Sequence, residues 1–166
     1  LVVLGTNTID ENEKIFNSFL VLNNKLEKVF QYNKIKLVPF GEFLPMHKIF
    51  EKFGLKKITE GMGSFSRGKK INIFNYESFA ILPLICYEII FPELVQKAEF
   101  NNLIINISED AWFGDSIGPY QHFSKTIFRA IENDTYVLRS ANKGISVIVN
   151  NKGQVIKSLK TNESGN

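Results

Sequence analysis

The chain has one cysteine, Cys86, at the end of the apolar run Phe79 to Ile85 and directly before Tyr87 and Glu88. A thiol where an α/β strand gives way to a loop can face a cleft, with the backbone N–H groups that follow it available to an oxyanion. The same setting also suits a small buried hydrophobe, so the residue by itself leaves both roles open. Cysteine acyl transfer needs a deprotonated thiol, a cation or donor for the tetrahedral oxyanion, and a carboxylate to move protons. Lys34 and Glu42 lie together on one loop-forming stretch, and Glu88 stands two residues past the thiol. A lysine near a thiol favours the thiolate and stabilises the oxyanion. Trp112, in a second loop, has core packing and a place beside the site as its two readings.

Other chemistries find less support. The only histidines are His47, at an expected helix start, and His122, within an amphipathic helix, and they read as polar or capping residues rather than catalytic bases. No Cys-x-x-Cys or His-x-x-x-His pair is present, Asp110 and Asp115 read as loop acids, and no glycine-rich phosphate loop follows a strand, so neither metal nor cofactor is expected. The net charge is only +3 and the lysines are scattered, which argues against a nucleic-acid partner. No apolar run reaches the roughly 18–20 residues of a membrane span. Leu1-Val2-Val3-Leu4 reads as the middle of a strand, so the chain is expected to begin partway through a longer protein, with residues 1–166 enough for one domain with a core.

The elements that must position these groups alternate between strand-like and helix-like, an α/β pattern. Leu1 to Gly5 predicts a strand; Phe16 to Leu22 and Leu26 to Tyr32, around an Asn-rich turn, predict a hairpin. Leu37 to Pro45 predicts a loop, Met46 to Phe53 a short helix ending at Gly54, and Gly61 to Lys70 an exposed loop. Strands are expected over Ile71 to Phe74, Phe79 to Cys86, Leu103 to Ile107, Tyr136 to Ser140, Ile145 to Val149 and Gln154 to Leu159. Pro92 to Phe100 suits a short helix with proline at its start. The strongest helix spans Pro119 to Asn133, with Phe123, Ile127, Ala130 and Ile131 as its buried face, and Asp110 to Gly118 before it is a loop.

Three blocks, Leu37-Val38-Pro39-Phe40-Gly41-Glu42, Cys86-Tyr87-Glu88 and Asp110-Ala111-Trp112-Phe113-Gly114, stand in this order with Gly118-Pro119-Tyr120-Gln121-His122 and Arg129-Ala130-Ile131-Glu132-Asn133 after them. Together they resemble the nitrilase (carbon–nitrogen hydrolase) superfamily and, within it, the apolipoprotein N-acyltransferase family. The resemblance implies a nitrilase-type α/β/β/α sandwich, incomplete at its N-terminal side and so leaving apolar surface uncovered. It implies Cys86 as nucleophile, Lys34 as catalytic lysine, Glu42 and Glu88 as functional glutamates, and Tyr87 and Trp112 as substrate-binding residues. Lys36 is the neighbour set aside, expected to point to the other face from Lys34. The implied reaction moves an acyl chain from a phospholipid, through a thioester, to the amine of a diacylglyceryl-cysteine lipoprotein, without a cofactor. The implied place is the bacterial inner membrane, with the domain on the periplasmic side and anchored by segments of the parent protein that are absent here.

The chain departs from that pattern in three ways. The superfamily's general-base glutamate falls upstream of the lysine, and Leu1 to Tyr32 contains no matching block, so this stretch alone is expected to be inactive. The flanking membrane helices are missing as well. Glu109 and Lys143 stand where Asn and Thr are expected. Two other outcomes remain open: a soluble nitrilase-family amidase using the same Cys and Lys, and an inactive fragment that only binds.

Overall fold

The computed structural model describes residues 1–43, 45, 64–98, 100–161 and 163–165. The helix expected over Met46 to Phe53 lies outside them.

The N-terminal third is an antiparallel meander of β1 (Val2–Ile9), β2 (Ile15–Leu22) and β3 (Lys28–Asn33). The first strand runs longer than its apolar residues suggested, because Thr6, Asn7 and Thr8 continue the ladder opposite Ser18, Asn17 and Phe16. A second sheet holds six strands in sequence order: β4 (Phe74–Tyr76), β5 (Phe79–Ile85), β6 (Leu103–Glu109), β7 (Tyr136–Asn142), β8 (Ser146–Val149) and β9 (Val155–Leu159). The strand expected over Ile71 to Phe74 instead starts at Phe74, and its partner is β5 in a tight antiparallel pair. β5, β6 and β7 run parallel. Helical crossovers make that possible: α1 (Pro92–Gln96) links β5 to β6, and α2 (Gly118–Glu132) links β6 to β7. Proline opens both helices, where its missing N–H leaves no bond unmade.

Side-chain alternation along the parallel strands builds two cores. Ile81, Ile85 and Ile105 point to one side and meet Phe19, Val21 and Tyr32 of the meander, forming the interior between the sheets. Leu82, Leu84, Ile104 and Val137 point to the other side, against Ile89, Leu94, Val95 and Ala130 of the helical layer. The described residues thus stack as sheet, sheet and helices, the mixed α/β sandwich expected. On the inter-sheet side of β7 and β8, Tyr136, Leu138 and Ile148 remain 47%, 37% and 36% exposed, an apolar strip beyond the reach of the meander.

Helix α2 corrects the expected burial in part. Phe123 and Ile127 are only partly buried and Ile131 is 52% exposed, whereas His122, Thr126 and Arg129 are buried beside Ala130. Phe123, Ile127 and Ala130 pack on the helix-side core as expected; only Ile131 turns outward, and His122, bonded to Asp110, joins the buried side.

Leu82 is fully buried within the helix-side core. Leu82→Ala is expected to cost about 2–5 kcal/mol, read from the midpoint of urea unfolding. A loss under about 1 kcal/mol would mean that the core collapses onto the gap.

Candidate active site

β5 ends at Ile85, and Cys86 opens a five-residue 3₁₀ helix, Cys86–Ile90, instead of extending the strand as expected. Cys86 has φ +50°, in the left-handed region. For a residue with a Cβ this costs about 1–2 kcal/mol, so surrounding contacts must hold it. The thiol-bearing residue is partly buried, and it packs with Ile35 and Ile107 against the inter-sheet core.

One of those holding contacts is Glu88. Its carboxylate is fully buried. Oε1 accepts from Tyr32 Oη at 2.8 Å, Ile35 N at 2.7 Å and Lys36 N at 3.0 Å, and Oε2 accepts from Ile85 N at 2.9 Å. Burial pushes the carboxyl above the usual range, opposed by these four donors. Burial and the neighbouring Glu88 likewise push the Tyr32 hydroxyl up. One side chain therefore fastens the residues after Lys34 to the strand end before Cys86.

The segment so fastened carries Lys34, which is 1% exposed despite its charge. Lys34 Nζ lies 2.8 Å from Glu42 Oε2 and 2.9 Å from Oε1. Glu42 also accepts from Asn17 Nδ2 at 2.8 Å and from Val38 N at 2.8 Å. The expected exposed loop at Gly61 to Lys70 is, where described, partly a strap over this pair: Phe65 N bonds Glu42 O, and Gly68 N bonds Lys34 O. Gly68 is required there, since a Cβ would lie 1.9 Å from the Asn33 carbonyl oxygen. Lys36 points outward to Glu93 at 3.0 Å and lies over the Phe91 ring. Both carboxylates named from the sequence have their oxygens engaged by neighbours, an arrangement suited to holding Lys34 and the turn in place.

A third group was missed from sequence. His122 is buried, with Nδ1 3.0 Å from Asp110 Oδ1 and Nε2 3.2 Å from the Cys86 carbonyl oxygen. Arg139 Nη2 donates to Asp110 Oδ2 at 2.6 Å, Arg139 Nη1 donates to Asn106, and Ser108 Oγ donates to Asp110 Oδ1 at 2.7 Å. Burial works against ionisation of Asp110, but His122, the Arg139 charge and Ser108 outweigh it and hold the carboxyl down to about 2. The reading of Asp110 as a plain loop acid is thereby corrected, and of the two roles read for His122, polar or capping, it has the polar one, inside the protein. A clue was available: both sit in the glycine- and proline-punctuated blocks that carry the resemblance.

Trp112 lies in a one-turn 3₁₀ segment, Ala111–Phe113, directly after Asp110, and is 70% exposed. Core packing is excluded. Phe113, Ile117 and Tyr120 extend the exposed apolar surface, at 40%, 68% and 57%. Tyr87 is partly buried against Phe91, ring edge to ring face, at 5.0 Å. Glu109 accepts from Asn142 Nδ2 and from Ala111 N, steadying the Trp112 turn.

Comparison with known proteins places these residues in a family. The Carbon-nitrogen hydrolase family model matches residues 1–165. An apolipoprotein N-acyltransferase of Rickettsia typhi is 41% identical over 97% of this chain and 34% of its own length. One of Allorhizobium ampelinum is 38% identical over 92% of this chain and 29% of its own length. The chain thus spans only 34% or less of either relative. Among solved structures, a variant of the amidase from Nesterenkonia sp. AN1, with the acetamide moiety of fluoroacetamide attached at its active-site cysteine, superposes with a TM-score of 0.70 at 20% identity, covering 96% of this chain and 56% of that one.

Two outcomes test the buried network. Glu88→Gln offers one acceptor oxygen to donors on both sides of the carboxylate, so it is expected to lose about 1–3 kcal/mol of stability in urea melts. Asp110 has a folded value below its ordinary 3.8, so its contribution is complete above that value and is lost as pH falls toward about 2. Unfolding measured from pH 5 to 2 should show a decline of about 2 kcal/mol that Asp110→Asn lacks.

Proposed function

Because the chain belongs to the carbon–nitrogen hydrolase family, we propose that it is the catalytic portion of an N-acyltransferase working through a thioester on Cys86. The acyl donor is a phospholipid, and the acceptor is the N-terminal amine of a diacylglyceryl-cysteine lipoprotein. The observation that carries the reading is the buried Lys34–Glu42 pair, tied by Glu88 to the left-handed turn that presents Cys86. A buried ion pair adds little net stability, so a cation kept at such a place is best explained by chemistry. The relatives named as acyltransferases match most of this chain at about twice the identity of the amidase, whose likeness concerns the fold.

The thiolate of Cys86 attacks the ester carbonyl of the donor. Lys34 and backbone N–H groups near Tyr87 stabilise the oxyanion, which collapses to a thioester and releases the lysophospholipid alcohol, protonated as it leaves. The acceptor amine then attacks the thioester, gives up a proton and regenerates the thiol, a ping-pong sequence. Glu42 holds the lysine, and Glu88 holds the turn. Tyr87 and the exposed Trp112 border the entry, where an aromatic ring can lie against acyl chains at the lipid–water boundary. Among the described residues no helix is long and apolar enough to cross a membrane. Anchoring in the bacterial inner membrane, with this domain on the periplasmic side, belongs in this reading to other segments of the full-length protein.

In the full-length protein, Cys86→Ala is expected to abolish the acyl-thioester mass adduct after incubation with phospholipid. Lys34→Ala should slow transfer to a diacylated peptide by about 10²–10³-fold, while Lys36→Ala keeps most activity. An adduct that survives in Cys86→Ala, or a reversed order of the two lysines, would overturn the assignment.

A further inference from the structure

One buried side chain beside the nucleophile takes no part in the thiol–lysine chemistry. His122 comes from α2, 36 residues after Cys86, and its Nε2 lies 3.2 Å from the Cys86 carbonyl oxygen. A carbonyl oxygen only accepts, so this bond requires the hydrogen on Nε2. The opposite nitrogen, Nδ1, faces Asp110 Oδ1 at 3.0 Å and Arg139 Nη2 at 3.2 Å. Asp110 is fixed in turn by Arg139 and Ser108, and Arg139 by Asn106, whose Nδ2 donates to the Leu84 carbonyl at 3.1 Å. The chain of bonds therefore leaves β5 at Leu84, passes through β6, β7 and α2, and returns to the same segment at Cys86. Gly144 closes it from above, with no room for a Cβ, which would lie 2.3 Å from Asp110 Oδ2. The ring edge is also braced by Phe113 at 5.5 Å between centroids.

What this loop of bonds grips is the carbonyl of the one residue at the strand end whose backbone is left-handed. Rotation of that peptide would swing the N–H of Tyr87, an oxyanion donor, away from its place relative to Sγ. We infer that His122 is a positioning residue, whose Nε2–H···O=C bond to Cys86 holds the nucleophile turn in its reactive geometry. The inference deepens the acyl-transfer reading and rests on Cys86 being the nucleophile.

Two amide substitutions separate this role from that of a structural link. His122→Gln places an N–H donor at the reach of Nε2, toward Cys86. His122→Asn places one at the reach of Nδ1, toward Asp110, and withdraws from Cys86. In the full-length protein, His122→Asn should lower kcat for acyl transfer by about 10²-fold with KM within about twofold, whereas His122→Gln should stay within about tenfold of the native kcat. Alkylation of Cys86 by iodoacetamide, followed by mass spectrometry of the Cys86 peptide, should slow in the same order, Asn more than Gln. Native rates in a folded His122→Asn, or equal impairment of the two variants, would overturn the proposal. Nitrogen-15 NMR of the unsubstituted protein keeps the test decisive even where a variant does not fold: His122 should show a protonated, slowly exchanging Nε2, and a ring without hydrogen there overturns the proposal. Alkylation needs no lipid substrate. The expected alkylation order in a protein that transfers no acyl group would sink the acyl-transfer reading and leave the positioning role standing.

Discussion

The rest of the site depends on one buried carboxylate. Glu88 takes hydrogen bonds from Tyr32 of β3, from two backbone N–H groups just past Lys34, and from Ile85 at the end of β5. These donors come from both sheets and from the segment that follows β3. Without a common acceptor, three backbone N–H groups and a phenol would be stranded in an apolar interior, each at a cost of about 1–3 kcal/mol. The same carboxylate suffers from its own burial, which the four donors offset only in part. The arrangement is therefore nearly all-or-none. With every donor in place, Lys34 and Cys86 are locked to one framework; with one missing, the buried charge opposes folding.

A second buried polar circuit lies on the opposite side of β5, where Asn106, Arg139, Asp110 and His122 replace what could have been helix-to-sheet hydrophobic packing. A buried charge network adds little net stability compared with apolar side chains of the same volume, while breaking one member is costly. Its effect is on geometry. It sets the rotation of α2, and through Asp110 it anchors the turn that displays Trp112. The two circuits grip the Cys86 turn from both faces of the sheet: Glu88 holds the N–H of Ile85, and His122 holds the carbonyl of Cys86.

The parallel strands explain why these circuits meet at one end of the sheet. β5 and β6 are in register from Ile81↔Leu103 to Ile85↔Ile107, and β6 and β7 from Leu103↔Tyr136 to Glu109↔Asn142. Parallel register brings the C-terminal ends of all three strands to the same edge, so Cys86, Asp110 and Lys143 emerge side by side although far apart in sequence. Gly144 then lets the β7–β8 connection close onto Asp110.

Much of this was legible in the residues. Alternation and continuous apolar runs identify β2, β3, β5, β6 and the pair β8–β9, since buried strands need such side chains wherever they pack. The separation of Lys34 from Lys36 was not legible, because the two-residue period of extended backbone would put both on one face; the chain leaves β3 at Asn33 and bends, sending one inward to Glu42 and the other outward to Glu93. Local pattern could not place His122 on the buried side of α2, because it looks like a surface residue until Asp110, Arg139 and Cys86 are beside it. Nor could it reveal that Cys86 leaves the strand in a left-handed turn, or that Glu88 binds backbone from a segment about fifty residues earlier. Residue type and spacing determine which groups are available and which elements carry them. Which hydrogen bonds those groups make is decided only when the sheets stack, because a buried polar side chain takes its role from the donors and acceptors that tertiary packing brings within about 3 Å of it.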